Sequence, residues 1–356
     1  MKTIDTKDAV GTILCQDITQ IIRGVTKDAR FKKGHIVTKE DIPVLLSLGK
    51  EHLYVWEQKP GFVHENDAAL ELLKICKNDH MTASPVKEGK IELTSDCDGL
   101  FTVNTQALNA VNAVDDIMIA TRKGNTPVQK GDKLAGFRII PLVIDGKFLH
   151  QAAEAAGTEP ILKISPWKIK KAGIITTGSE VLKGLIKDTF TDVIKDKLAA
   201  FGIEVVYHKL SGDDSNVIAG SIHEAKEKGA EIIICTGGMS VDPDDKTPGA
   251  IKASGAKVVT YGAPVLPGAM FLLSYLGDSV PKNEQISGDD LPDGVVPVLG
   301  IPGCAMYARY TVLDIFLPRI AAGKRITKQD IIACGEDGLV ASRKPYKYVE
   351  PAQAAK

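Results

Sequence analysis

The sequence predicts an α/β protein, with a C-terminal three-layer α/β sandwich on a mostly parallel sheet and a mixed α/β region before it. Three observations lead there. From Ala172 onward, short apolar runs alternate with segments of helical periodicity, the rhythm of a doubly wound domain. Ile232, Ile233 and Ile234 form an uncharged, β-branched run, as a strand covered on both faces does. Several such runs end in glycine- or acid-rich turns, and open α/β sheets bind ligands at the carboxyl ends of their strands.

The expected organisation is a mixed region at 1–165, a linker at 166–171, the α/β domain at 172–323 and a C-terminal tail at 324–356, loosely held after Lys344. In the first region, residues 10–14 read as a strand. Thr38 and Asp41 form a capping-box-like start to a helix that Gly49 stops, and residues 52–56 read as a second strand. Apolar spacing predicts a helix over 66–77. Strands follow near 91–93, 117–121 and 137–143, with helices near 106–113 and 146–156. Pro166 and the lysines at 168, 170 and 171 mark the junction. Beyond it, strands are expected at 172–176, 203–207, 231–235, 258–261, 270–275 and 296–300, and helices at 189–201 and 216–228. A further helix should run from Pro302-Gly303 to about Ala321, and residues 281–294 read as a polar surface loop.

Composition narrows the function. With 356 residues the chain can form two or three domains, and 44% hydrophobic and 25% charged residues are ordinary for a soluble globular protein. A net charge of −1 gives no electrostatic reason to expect nucleic acid or an anionic membrane as partner. No apolar run reaches the ~20 residues of a spanning helix, and the opening MKTIDTKDAV lacks the apolar stretch of a signal peptide. Six cysteines without a CxxC pair suit free thiols in a reducing cytoplasm.

The chemistry gathers in residues 231–248, EIIICTGGMSVDPDDKTP. At Thr236-Gly237-Gly238 the missing side chains let backbone N–H groups approach an anion. Ser240 adds a hydroxyl, and Asp242, Asp244 and Asp245 crowd carboxylates into the same loop. Such a loop suits Mg²⁺ held beside a phosphate, because hard cations take oxygen ligands. Thr247-Pro248 reads as an N-cap with Pro at the first helical position. The bland reading of the whole stretch is a crossover turn. Thr177-Gly178-Ser179-Glu180, with Asp188 in the same connection, also suits anion binding. Glu180 is equally explained as a carboxylate favoured by a helix N-terminus. Asp213-Asp214 reads as a helix cap or as part of the site, and Gly300-Ile301-Pro302-Gly303 forms a rigid turn.

Taken in order, Thr177-Gly178-Ser179-Glu180, Asp213-Asp214, Thr236-Gly237-Gly238-Met239-Ser240, Asp245-Lys246-Thr247-Pro248 and Gly300-Ile301-Pro302-Gly303 resemble the molybdopterin-binding, or molybdenum-cofactor-biosynthesis, domain. That domain occurs in molybdopterin adenylyltransferases and molybdotransferases, and the resemblance spans about 170–323. It implies a cytoplasmic transferase, or a non-catalytic carrier, chaperone or sensor, that binds the pterin molybdopterin with Mg²⁺ and with ATP or molybdate as co-substrate. It assigns Asp213, Asp214 and Asp245 to catalysis and Asp242 and Asp245 to the metal. Pterin binding falls to Thr177, Gly178, Ser179, Glu180, Thr236, Gly237, Gly238, Ser240, Thr247, Pro302 and Gly303. The implied partners are a second copy of the chain and a molybdoenzyme or other cofactor-synthesis proteins. The N-terminal part is more loosely similar to molybdotransferases, through residues 12–18 and 31–37. The Ser-Ala-Met-Asp-Gly-Tyr-Ala-type segment typical of those enzymes is absent, as is a recognisable C-terminal β-barrel pattern.

Overall fold

The structure is a computed structural model and describes residues 2–22, 26–55, 60–185, 187–280 and 290–341. Trp56, most of the polar stretch at 281–294 and the chain beyond 341 lie outside the described residues, as does the side chain of Glu180. The chain divides into two compact units, one of residues 1–97, 101–124 and 129–164, the other of 98–100, 125–128 and 165–356.

The first unit is antiparallel. Strands Met81–Ala83, Ile91–Ser95, Lys133–Ile139 and Ile117–Thr121 lie side by side in that order. Ile91, Leu93 and Ser95 are buried while Glu92 and Thr94 between them reach solvent, the alternation of a sheet with one wet face. Helix Glu65–Cys76 packs on this sheet through Ala68, Ala69, Leu72 and Cys76. A separate small cluster of Ala9, Leu14, Ile18, Phe31, Val37, Leu45 and Leu53 holds the N-terminal segment together. The expected strand at 10–14 is reduced to isolated bridges, Ile13 with Ile36 and Leu14 with Val55. The expected capping box is half formed: Asp41 accepts from the Thr38 N–H at 2.8 Å, but the helix runs Asp41–Ser47, and Asp41 also holds His35 at 2.7 Å. Residues 137–143 split into the end of one strand and a short one at Val143–Asp145.

The second unit is a six-stranded sheet between two helical layers. Its strands are β1 (Lys171–Thr177), β2 (Glu204–Ser211), β3 (Ile232–Thr236), β4 (Lys257–Tyr261), β5 (Leu272–Leu276) and β6 (Val296–Ile301). The spatial order is β2-β1-β3-β6-β5-β4. The first four are mutually parallel, and β5 runs antiparallel to both neighbours. Helices α1 (Phe190–Ala199) and α4 (Val312–Ala321) cover one face, and α2 (Ser215–Glu227) and α3 (Thr247–Ala253) the other. The isoleucine run shows why. Ile232 and Ile234 join Ile174, Ile194, Leu198, Phe316 and Leu317 on the α1/α4 side. Ile233 and Cys235 join Ile175, Ile218, Ile222 and Ile251 on the α2/α3 side. Period-two alternation in an all-apolar strand therefore serves two cores at once.

One expectation in this unit is corrected. The helix predicted from Pro302-Gly303 is a short 3₁₀ turn, Gly303–Met306, followed by α4, because a capping box between Thr311 and Asp314 starts a new helix. Residues 324–341, the described part of the expected C-terminal tail, are packed, and the stretch after Lys344 lies outside the described residues. Ile326, Ile331 and Val340 enter the α1/α4-side core, and Arg319 holds Asp330 at 2.9 Å.

One buried ion pair links those two helices. Lys197 of α1 reaches Asp314 Oδ1 at 2.5 Å and the Arg309 carbonyl at 3.1 Å, with both side chains nearly inaccessible. Lys197→Met would leave the Asp314 charge buried without its partner. Urea denaturation is expected to show a loss of about 3–5 kcal/mol, the usual cost of breaking a buried pair from one side.

Candidate functional site

β1 and β3 end side by side, with Thr176 opposite Thr236 in a parallel register that brings their carboxyl-terminal turns together. Thr177 is buried at the junction. Its Oγ1 donates to the Thr236 carbonyl at 3.1 Å, so it accepts from Thr247 Oγ1 at 2.9 Å. One hydroxyl thus ties β1, β3 and the start of α3 together. Thr247 is therefore not the predicted N-cap. It is the first residue of α3, Lys246 precedes it without capping, and Pro248 follows in the first turn.

Gly237 and Gly238 adopt φ of +86° and +54°, in the left-handed region. A Cβ at Gly237 would lie 2.1 Å from the Thr177 carbonyl oxygen. At Gly238 it would lie 2.9 Å from Thr247 Oγ1 and 3.7 Å from Asp245 Oδ1. The turn can exist only without side chains here, and its backbone is left bare at the strand ends. Met239 then turns inward, 3% exposed, where its Cε would meet any Cβ at Gly300 at 2.5 Å. The Tyr261 hydroxyl donates to the Met239 carbonyl at 2.9 Å. Burial, and secondarily the Asp245 charge, push that phenol above its ordinary range.

The carboxylates fix backbone. Asp213 Oδ2 accepts from Ser179 N at 3.0 Å and Ser179 Oγ at 2.6 Å, which pins the turn after β1. Asp214 caps α2 through Asn216 N at 2.8 Å and Val217 N at 3.3 Å, the cap reading of that pair. Asp245 Oδ2 accepts from Ser240 N at 2.7 Å, and Asp242 Oδ1 from Asp244 N at 3.0 Å. Lys246 donates to the Pro243 carbonyl. Among the described residues no group of three or more His, Cys, Asp and Glu is placed to hold a metal ion, so Asp242 and Asp245 do not by themselves form a cation cage. Pro302 precedes the 3₁₀ turn at the end of β6. A Cβ on Gly303 would meet only the Phe190 ring edge at 4.0 Å, so its backbone is open.

Sequence reasoning missed a polar network under the β1 end. Asp188 Oδ1 accepts from Phe190 N at 2.9 Å and Thr191 N at 3.1 Å, capping α1, and Oδ2 accepts from Thr191 Oγ1. The Thr191 hydrogen being used, its oxygen accepts from Thr176 Oγ1 at 2.9 Å and His208 Nε2 at 3.0 Å. Burial, then Lys195, hold the His208 imidazole below its ordinary range. No local pattern announces this set, because β2 and α1 bring it together. Next to Thr176, Thr236 Oγ1 is fully buried with no hydrogen-bond partner among the described residues. A bare glycine turn beside an orphaned hydroxyl fits an exogenous polar ligand, since an unsatisfied buried group costs about 1–3 kcal/mol.

Residues 173–322 match the family described as a probable molybdopterin binding domain, and residues 3–57 match one described as a domain of unknown function. Among curated proteins, competence-damage inducible proteins of Bacillus cereus and Bacillus anthracis are similar. The B. cereus protein is 39% identical over 90 residues, which is 25% of this chain and 22% of that protein. The chain thus spans under a quarter of the length of these relatives. Among solved structures, the tungsten cofactor synthesizing protein MoaB from Pyrococcus furiosus aligns at 20% identity and TM-score 0.33, over 43% of this chain and 93% of that one. A molybdenum cofactor biosynthesis protein from the same organism aligns at 13% identity and TM-score 0.26, over 93% of this chain and 64% of that one.

Gly237→Ala tests the turn. A Cβ 2.1 Å from a main-chain oxygen, on a residue at positive φ, is expected to cost about 2 kcal/mol or more in thermal or urea unfolding. Gly249→Ala, with nothing within 4 Å of its Cβ, serves as the control that should be unaffected or slightly stabilised.

Proposed function

We infer that the second unit, whose residues 173–322 form a domain of the molybdopterin-binding family, holds molybdopterin at the carboxyl ends of β1, β3 and β6 and acts on it in molybdenum-cofactor synthesis. The reaction proposed is Mg²⁺-dependent adenylyl or molybdate transfer. The observation that carries this reading is the Gly237-Gly238 turn, whose backbone is bare beside the unpaired Thr236 hydroxyl.

Each residue has a definite task. Backbone N–H groups around Gly178, Ser179, Gly237, Gly238 and Gly303 approach the terminal phosphate, and the hydroxyls of Thr236 and Ser240 complete its hydrogen bonds. Thr177 and Thr247 hold the two turns in register, and Pro302 stiffens the third. Asp245, with one oxygen on Ser240 N, has its other oxygen available to Mg²⁺, and Asp242 is the second acidic residue of that loop. Two carboxylates suffice when phosphate oxygens complete the shell, which is how Mg²⁺ is usually held. The metal would neutralise phosphate charge that the loop, with Lys246 turned to a carbonyl, does not. Asp213 and Asp214 orient the turn after β1 and the start of α2, and Glu180 adjoins the same turn. We place the protein in the cytoplasm as a homo-oligomer serving a molybdoenzyme or its cofactor-synthesis partners. A carrier, chaperone or sensor is the second reading. It is favoured by the engagement of Asp213, Asp214, Asp242 and Asp245 with backbone amides.

Binding and chemistry are separable. Gly238→Val, whose Cβ would crowd Thr247 Oγ1 at a positive φ, should distort the turn and lower pterin affinity at least about tenfold, ~1.4 kcal/mol, by titration calorimetry. Unchanged affinity in a folded variant would remove the site. EDTA should weaken binding of the phosphorylated pterin; if it does not, the bridging metal fails and an amide-only cradle stands.

Asp245→Asn keeps an acceptor for Ser240 N but loses the charge. With wild type as reference, single-turnover assays with MgATP and molybdate should show binding retained and turnover reduced on the order of a hundredfold. A wild type that binds tightly and never alters its ligand supports the carrier instead.

A further inference from the structure

In the first unit, His64 closes strand Phe62–His64 and opens helix Glu65–Cys76, with its imidazole 1% exposed. Its partners dictate its protonation. Nε2 lies 2.6 Å from the Cys15 carbonyl oxygen, which can only accept, so Nε2 carries a hydrogen. Nδ1 lies 2.9 Å from Lys33 Nζ and 3.2 Å from Asn66 N, which as an ammonium and an amide can only donate. Nδ1 therefore offers its lone pair and caps the helix, and the ring is neutral. A second proton would have to sit on Nδ1, turning both contacts into donor against donor.

The surroundings oppose that proton. Burial first, and the Lys33 charge, hold His64 below its ordinary value, against the pull of the Cys15 carbonyl and of Asp67. The other charged groups packed here are Asp17, whose carboxylate accepts from Lys33 N at 2.7 Å, Glu65 with Arg138 at 3.2 Å, and Glu88.

Cys15 and Lys33 belong to the N-terminal segment, which has its own apolar cluster between Ala9 and Leu53. Its further ties to the rest of the unit include Thr19 with Glu88 and the exposed Asp28–Lys87 pair at 3.5 Å, of a kind that contributes little.

We propose that His64 is an acid-labile clasp: neutral, it fastens the N-terminal segment to the helix that starts at Glu65, and on protonation it releases it. A histidine whose folded value is depressed contributes stability fully present above its ordinary value of about 6.5 and lost as pH falls below it. Glu65 acts in the opposite sense. Burial raises its carboxyl, so its contribution grows as pH falls toward 4.5.

Hydrogen exchange of the full chain, read by mass spectrometry and corrected for intrinsic rates, tests the clasp at about pH 7.5 and about pH 5.5. In wild type, protection of residues 13–22 and 31–37 should fall roughly tenfold at the lower pH, while β3 stays protected. His64→Gln keeps a donor for the Cys15 carbonyl without the titration and retains Glu65. Its N-terminal segment should lose no protection at the lower pH. His64→Asn keeps the helix cap and loses the Cys15 bond, and should be open at both. Equal wild-type protection at the two pH values, the same fall in His64→Gln, or a closed His64→Asn at neutral pH would each overturn the proposal.

Discussion

The second unit depends on one close approach, Gly237 lying against the Thr177 carbonyl where any Cβ would sit at 2.1 Å. That proximity lets β1 and β3 end together, so one threonine hydroxyl can reach both the Thr236 carbonyl and Thr247. It is sustained from below by the complete burial of β3. Isoleucines on both faces anchor the strand in two cores and leave it no freedom to shift register, since a one-residue slip would exchange every side chain between faces. The glycine turn and the buried strand therefore form one feature, tight packing below that holds a bare backbone above.

Around that turn, charge serves geometry first. Asp213, Asp214, Asp242 and Asp245 each accept backbone N–H groups, so the turns are held in shape before any ligand arrives. Turns fixed in this way need no reordering to present their backbone donors. Among the described residues, Thr236 Oγ1 stands without a hydrogen-bond partner. The fold supports its oxygen at a buried point and leaves its hydrogen bond unmade.

The first unit is organised on a different balance. Its antiparallel sheet and the helix over it share one core, whereas the N-terminal segment closes on a small cluster of its own. Polar contacts through His64 join the two parts, and polar contacts respond to protonation as apolar ones do not.

Much of this was legible in the sequence. The alternation after Ala172 and the isoleucine run determined an α/β sandwich, and the glycine- and acid-rich strand ends marked its turns, because periodicity and glycine act locally. Helices such as Glu65–Cys76 and Ser215–Glu227 were readable for the same reason. Tertiary structure decided the rest. Thr247 reads as a helix cap, yet it pairs with Thr177, seventy positions away. The C-terminal tail contributes Ile326, Ile331 and Val340 to the α1/α4-side core, a packing that no local pattern encodes. The Asp188–Thr191–Thr176–His208 network and the His64 clasp join residues from separate elements, and no spacing along the chain encodes a contact that only folding creates.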